Sequence, residues 1–236
     1  ALNDTIWIAD WSFDSGCSAP GWTTFDGRIV NDGSNYWCVT ATYADTGSIV
    51  NQAAALGKHD LFWPCDGYGD NWDYSIVLKY KGGMAVGSPQ PTLDFDFVSD
   101  TEPGFDFITV ECDSLGLSAA LVNYLVNPRG TPEEFRDEIF RADGLILDGG
   151  FTTPLSLIDY TPNDASAIHE AYIRLESDGA YSAEDCLYPP YYRHGLVVDG
   201  IQVGGLLVYS EGFEAAAGCG AGITGVDPNV RLANTA

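Results

Sequence analysis

Carboxylates are the residues in this chain whose types and spacing could do chemistry. The stretch ESDGAYSAEDC sets Glu176, Asp178, Glu184 and Asp185 beside Cys186, between two segments of strand-like pattern. The second segment, LVVDGIQV, holds one more acid, Asp199, in otherwise apolar company. Calcium takes about six to eight oxygens from carboxylates, carbonyls and water, and acids at strand ends can seed such a site. An unpaired Asp199 would be costly to bury, so a cation, backbone N–H groups or solvent must meet it. Asp178, Glu184 and Asp185 form either a second, weaker ligand set or a solvated turn. Asp94 and Asp96, two residues apart, fall on one face of a strand and could serve as a catalytic acid pair or as a polar outer surface.

Other chemistry has little to build on. There is no GxSxG elbow, no HExxH pair and no phosphate loop. His59, His169 and His194 are not at zinc-ligand spacing from the cysteines, and His169 falls on the apolar face of its segment, as a core histidine would. Aromatic rings in loop-like segments, namely Trp63, Tyr68, Trp72, Tyr188, Tyr191 and Tyr192, could stack on sugar faces. The competing reading is that the tryptophans cap the core. The YPPYY run, stiff and hard to bury, suits an interface.

The elements that must position these groups alternate with period two. In DYSIVLKY, Tyr74, Ile76, Leu78 and Tyr80 share a face; in TLDFDFVSD, Leu93, Phe95 and Phe97 do; in AIHEAYIRLES, Ala171, Ile173 and Leu175 do. Gly204-Gly205 predicts a bend or bulge after the last such strand. Half-buried antiparallel strands of this kind predict an all-β, two-sheet sandwich. One short surface helix is expected over TPEEFRDEIF, with Thr131 as cap, Pro132 in the first turn and Glu134 closing a capping box. Residues 1–212 read as the sandwich. The Gly-rich segment 213–236 reads as a tail or a lead into another domain.

The 236 residues carry a formal net charge of −24, a field that repels phosphate backbones and anionic lipid. Nucleic acid is therefore not an expected partner. No apolar run reaches membrane-spanning length, so no membrane insertion is expected. The cysteines, Cys17, Cys38, Cys65, Cys112, Cys186 and Cys219, are even in number, widely spread and without a CxxC. They read as three disulfides of an exported protein, against free thiols of a cytosolic one. The pairing stays open, with Cys17–Cys38 favoured because the two flank a short, turn-rich segment. Ala1 reads as a processed start, and Asn3-Asp4-Thr5 is a glycosylation-type triplet.

Several phrases, in order, resemble one family. WSFDSGCSAPGWTTFDG, GYGDNWDYSIVLKY, SDTEPGFDFITVECDS, SDGAYSAEDCLYPP and LVVDGIQV are similar to secreted bacterial jelly rolls of the concanavalin A-like lectin/glucanase group, the choice-of-anchor and MAM-like modules. The resemblance covers roughly residues 5–210. It implies a jelly-roll sandwich, often with structural calcium, that is usually not catalytic and sits in multidomain exported proteins. It implies Asp14 on the first strand and Asp199 on a late strand as cation ligands. The closing VDPNVRLANTA resembles the lead into a C-terminal secretion-sorting domain. The chain departs from the pattern at Asp14, where Glu is common, at Ala183 and Cys186 in the acidic loop, and at Gly200, where a second acid is common. Those departures would weaken or shift calcium, or replace it by a disulfide at Cys186. Glycosidases of this superfold carry an E-x-D-x-E strand, and LDFDFVSD lacks its glutamates.

The expected protein is thus a secreted or cell-surface, disulfide-bonded structural or adhesive module without catalysis. It belongs to a homo-oligomer or an extracellular, self-assembling and even filamentous array. The alternative is a carbohydrate-binding module of a polysaccharide-degrading protein, with a glycan partner, and the remote alternative is a glycoside hydrolase.

Overall fold

A computed structural model describes residues 36–41, 46–57, 67–81, 90–113, 136–155, 169–179, 182, 195–219 and 222–234. Strands β1 (Trp37–Thr40), β2 (Ala53–Leu56), β3 (Asp73–Tyr80), β4 (Thr92–Asp100), β5 (Phe107–Asp113) and β6 (Arg136–Ala142) come first. They are followed by β7 (Leu145–Pro154), β8 (His169–Glu176), β9 (Gly195–Val203), β10 (Tyr209–Glu211), β11 (Gly218–Cys219) and β12 (Val230–Asn234). One sheet runs β11-β1-β2-β9-β4-β7, with β10 also on β9, and the other runs β12-β3-β8-β5-β6. Every pair of strands is antiparallel. The chain is therefore an all-β, two-sheet sandwich.

The core lies between the sheets, and the alternation fills it as expected. Tyr74, Ile76, Leu78 and Tyr80 of β3 and Ala171, Ile173 and Leu175 of β8 are buried in one cluster with Leu93, Phe95 and Phe97 of β4. On β9 the inward phase changes from Leu196 and Val198 to Ile201 and Val203. The change comes from a bulge: Asp94 faces Gln202 while Asp96 faces Asp199. Gly200 supplies the left-handed backbone there, with φ of 62°. The position where the resemblance would place a second acid is thus taken by the residue that the bulge needs. The expected bend at Gly204-Gly205 is also present. Gly205 has φ of 104°, and a Cβ on it would lie 2.6 Å from the Lys81 carbonyl oxygen.

Two expectations need correction. No α-helix occurs among the described residues, and residues 136–140 of the expected helix are strand β6 instead, while Thr131, Pro132 and Glu134 lie outside the described residues. Backbone pairing from Ile108↔Ala142 to Asp113↔Arg136 and the packing of Ile139 and Phe140 on the core outweigh a local capping signal. Nor is everything past residue 212 a tail. Phe213 is fully buried, β11 pairs with β1, and β12 pairs with β3 from Val230↔Leu78 to Asn234↔Tyr74. VDPNVRLANTA therefore contains a strand of this sandwich, held by its backbone pairing with β3 and by Val230 in the core.

Candidate metal centre

Three segments converge at one end of the sandwich: residues 67–72 before β3, the turn 101–106 joining β4 to β5, and residues 177–179 after β8. Serine 177 ties two of them together. Its hydroxyl donates to the Gly69 carbonyl at 2.6 Å and accepts from Trp72 N–H at 2.8 Å. Asn71 N–H donates to the Asp178 carbonyl at 2.6 Å. The third segment is locked by Asp106. Its carboxylate accepts from the Tyr68 hydroxyl at 2.6 Å and from Asp178 N–H at 2.8 Å, while Glu102 N–H donates back to the Tyr68 oxygen at 3.1 Å.

This knot brings carboxylate oxygens of Glu102, Asp106 and Asp178 to within 4.8 Å of one another. A calcium ion holds its oxygens at about 2.4 Å, so ligands on opposite sides of one ion are separated by about that span. Hard oxygen donors and a net negative charge suit calcium rather than a soft metal. Asp106 is fully buried and Asp178 exposed, so the group reaches from the core to the surface. Burial is the main reason that the Asp106 carboxyl is pushed up to about 6, with the charges of Asp178 and Asp70 adding to it and hydrogen bonds from Tyr68 and Asp178 opposing it. Burial, followed by the charge of Asp106, also pushes the Tyr68 hydroxyl up.

Folded Asp106 holds its proton more tightly than the unfolded chain does, so protonation favours the fold. Its contribution is present below about pH 4 and is lost as pH rises through about 6. The shift corresponds to about 3 kcal/mol. In chelator, Asp106→Asn should remove that component, so the stability difference between variant and parent should change by an amount of this order from pH 4 to 7. Equal pH profiles in urea unfolding would contradict the assignment.

The other predicted residues are placed differently. Asp199 lies outside this group. Its carboxylate accepts from Val50 N–H at 2.9 Å and from Gly200 N–H at 2.6 Å, so it anchors the 46–52 segment across the outer face of the larger sheet. Burial first, and then the charges of Glu214 and Asp96 against those two N–H groups, push its carboxyl up. Backbone N–H groups therefore meet Asp199, the alternative to a cation. Asp94 and Asp96 are half-buried on the outer face of β4, with Asp96 opposite Asp199. Among the described residues, Asp178 is the predicted loop acid that joins the cluster. Asp14, Glu184 and Asp185 lie outside the described residues.

Tyr68 and Trp72 are not a sugar platform, because both rings are fully buried. Trp72 stacks on Tyr36 with ring centroids 4.8 Å apart, and Tyr68 spends its hydroxyl on Asp106. Rings this large at the end of the sandwich close the core. Trp63, Tyr188, Tyr191 and Tyr192 lie outside the described residues. His169 is buried against Tyr80, with ring centroids 5.2 Å apart. Cys38 bonds Cys219, not Cys17, because β1 and β11 place these two directly opposite in register. Cys112 is buried on β5, and Cys17, Cys65 and Cys186 lie outside the described residues.

Sequence reasoning missed Glu102 and Asp106. Their one local signal was a Pro-Gly turn between acids, which marks a loop but not what the loop meets. No protein-family model matches the chain, and no curated protein matches it either.

Proposed function

We propose that this chain is a secreted, non-catalytic structural or adhesive module of the jelly-roll kind, stabilised by calcium and working within an extracellular assembly. The observation that carries the reading is how the acids are used. Asp106 fastens Tyr68 and the Asp178 turn, and Asp199 fastens the 46–52 segment. Buried carboxylates committed to backbone and tyrosine donors hold a scaffold together, whereas a glycosidase pair must flank a bond in its substrate. The Cys38–Cys219 bond supports an oxidising compartment. Two packed antiparallel sheets are common to many sandwich families, so the jelly-roll assignment leans on the ordered phrases of the sequence.

Calcium would be held by Glu102, Asp106 and Asp178, and it would supply stability. An ion that binds only the folded state raises the melting temperature, by about 2.7 kcal/mol of stability at a hundredfold excess over Kd. Calcium should therefore raise the melting temperature at pH 7.5, EDTA should reverse the rise, and Asp178→Asn should remove it while leaving the chelated protein intact. A melting curve indifferent to calcium and EDTA would sink the ion. The function itself is tested by incubating the purified chain with a panel of soluble polysaccharides. Release of reducing ends would overturn the non-catalytic reading, and saturable retention on one glycan would turn it into a carbohydrate-binding module.

A further inference from the structure

We propose that copies of this chain dock head to tail, with Lys79 and Lys81 of one copy seated over Asp94 and Asp96 of the next. The acids lie on the outer face of β4, and both are half-buried. Asp94 stands between Thr152 on β7 and Gln202 on β9, and Asp96 between Gly150 and Asp199. Asp199 is spent on the Val50 and Gly200 N–H groups. Asp94 and Asp96 have no side-chain hydrogen bond or ion pair, and β4, β7 and β9 carry no Lys or Arg that could supply one. Gly150 leaves the approach open. No positive φ calls for glycine there, and a Cβ would meet nothing nearer than Asp96 Oδ1 at 3.7 Å. A strand glycine without a backbone reason often marks a place where a ligand or another backbone comes close.

The matching cations belong to the other sheet. Among the described residues every arginine is paired: Arg136 with Glu111, Arg141 with Glu138, Arg174 with Asp73 and Glu111, and Arg231 with Glu170. The described lysines are Lys79 and Lys81, and neither has an ion pair. Lys79 follows Ser75 and Val77 on the outer face of the smaller sheet and is exposed. Its N–H donates to the Asn229 carbonyl at 3.0 Å, and its carbonyl accepts from the Tyr209 hydroxyl at 2.7 Å. The Lys81 carbonyl accepts from Leu206 N–H at 2.6 Å. Both backbones are thus held, which leaves only side chains to order on contact.

Sign and spacing select a second copy. Each pair is two residues apart on extended chain, about 6.6 Å. The core lies between the two outer faces, so one copy does not pair them within itself. The contact joins unlike surfaces, and it builds a ring or an open filament rather than a two-fold dimer. The net charge of −24 opposes it. At about 0.15 M salt the screening length is about 8 Å, which damps that distant repulsion more than charges in contact. An exposed pair changes affinity by no more than about fivefold, so two copies associate weakly. Exposed Val50 beside Asp199 and exposed Leu206 beside Lys81 add apolar surface. The inference rests on the assembly reading above and names its partner.

The test is sedimentation of the full chain at high protein concentration and about 0.15 M salt. The parent should form dimers and longer species. Asp94→Lys with Asp96→Lys should weaken association at least about tenfold, although it lowers the net negative charge. Lys79→Asp with Lys81→Asp should weaken it as much. An equimolar mixture of the two variants should recover association that neither shows alone, through the lysines of the first and the acids of the second. Carbodiimide coupling of isotope-labelled with unlabelled parent, which needs no variant to fold, should join Lys79 or Lys81 of one copy to Asp94 or Asp96 of another. Association of either variant at the parent's strength, or coupling through other residues alone, would overturn the contact and leave assembly to another surface. A parent chain that stays monomeric would overturn the contact and self-assembly together.

Discussion

Replacing Arg174 by methionine should destabilise the protein by about 3–5 kcal/mol at neutral pH, the range seen when one member of a buried ion pair is removed. Arg174 stands at the middle of β8, on the outer face of the smaller sheet, with its side chain 4% exposed. Directly across from it are Ser75 on β3 and Thr109 on β5, both short, which leave room for a guanidinium. The diagonal neighbours are acids. Asp73 takes Nε at 2.7 Å and Nη2 at 3.0 Å, and Glu111 takes Nη1 at 2.8 Å. Glu111 is shared with Arg136 at 3.4 Å, and the Arg136 guanidinium lies 3.9 Å from the centre of the Tyr172 ring. Burial alone would lower the pKa of Arg174. The hydrogen bonds and charges of Asp73 and Glu111 outweigh it and push the pKa up.

Methionine keeps much of the side-chain volume but leaves two acids facing each other without their shared partner. The loss should therefore be recovered in large part by adding Asp73→Asn and Glu111→Gln. Thermal unfolding at pH 7 reads the effect, and the single variant should melt on the order of 10 °C lower. A loss below about 1 kcal/mol at neutral pH would mean that the network is no more than a surface pair.

Reducing the Cys38–Cys219 bond should lower stability by about 4 kcal/mol. The two residues are 181 apart in sequence. In the chain-entropy account, closing a loop longer than about 100 residues restricts the unfolded chain by nearly 5 kcal/mol, and measured values fall at or below that. Locally the bond has more to hold than its entropy suggests. Strand β11 has only Gly218 and Cys219 with which to pair, so it contributes few ladder hydrogen bonds of its own. Its neighbours Phe213 and Ala216 are buried in the core and would be released to solvent if it left. The double change Cys38→Ser, Cys219→Ser should match the effect of dithiothreitol, and the far-ultraviolet spectrum should keep its β character. A melting temperature indifferent to reductant would remove this bond as a stabilising element, and with it the main structural support for an oxidising compartment.

The sheets were legible because their inner faces obey a period that needs no tertiary information. Alternation in DYSIVLKY, TLDFDFVSD and HEAYIRLE placed Tyr74, Phe95 and Ile173 inside, and all are buried. The outer faces do not follow from the same period. Ser75, Val77, Thr109, Tyr172 and Arg174 lie on the outer face of the smaller sheet and are nonetheless buried. Whether a face meets water depends on what else packs there, which period two does not encode.

Residue types alone determined an all-β sandwich, a formal net charge of −24, and the positions in the strand sequence where a bend would come. Long-range approach decided the rest. Residues 131–134 carry helix-start signals, yet pairing with β5 makes residues 136–140 strand, because a partner's backbone groups outweigh a local cap. The disulfide followed register between two strands far apart in sequence, so the short-range choice of Cys17 for Cys38 had no physical hold on it. Glu102, Asp106 and Asp178 belong to two different turns, and they meet only where the sheets close over Tyr68. Carboxylate positions set by two turns are invisible in any single strand, since spacing along a chain reports only what one element can align.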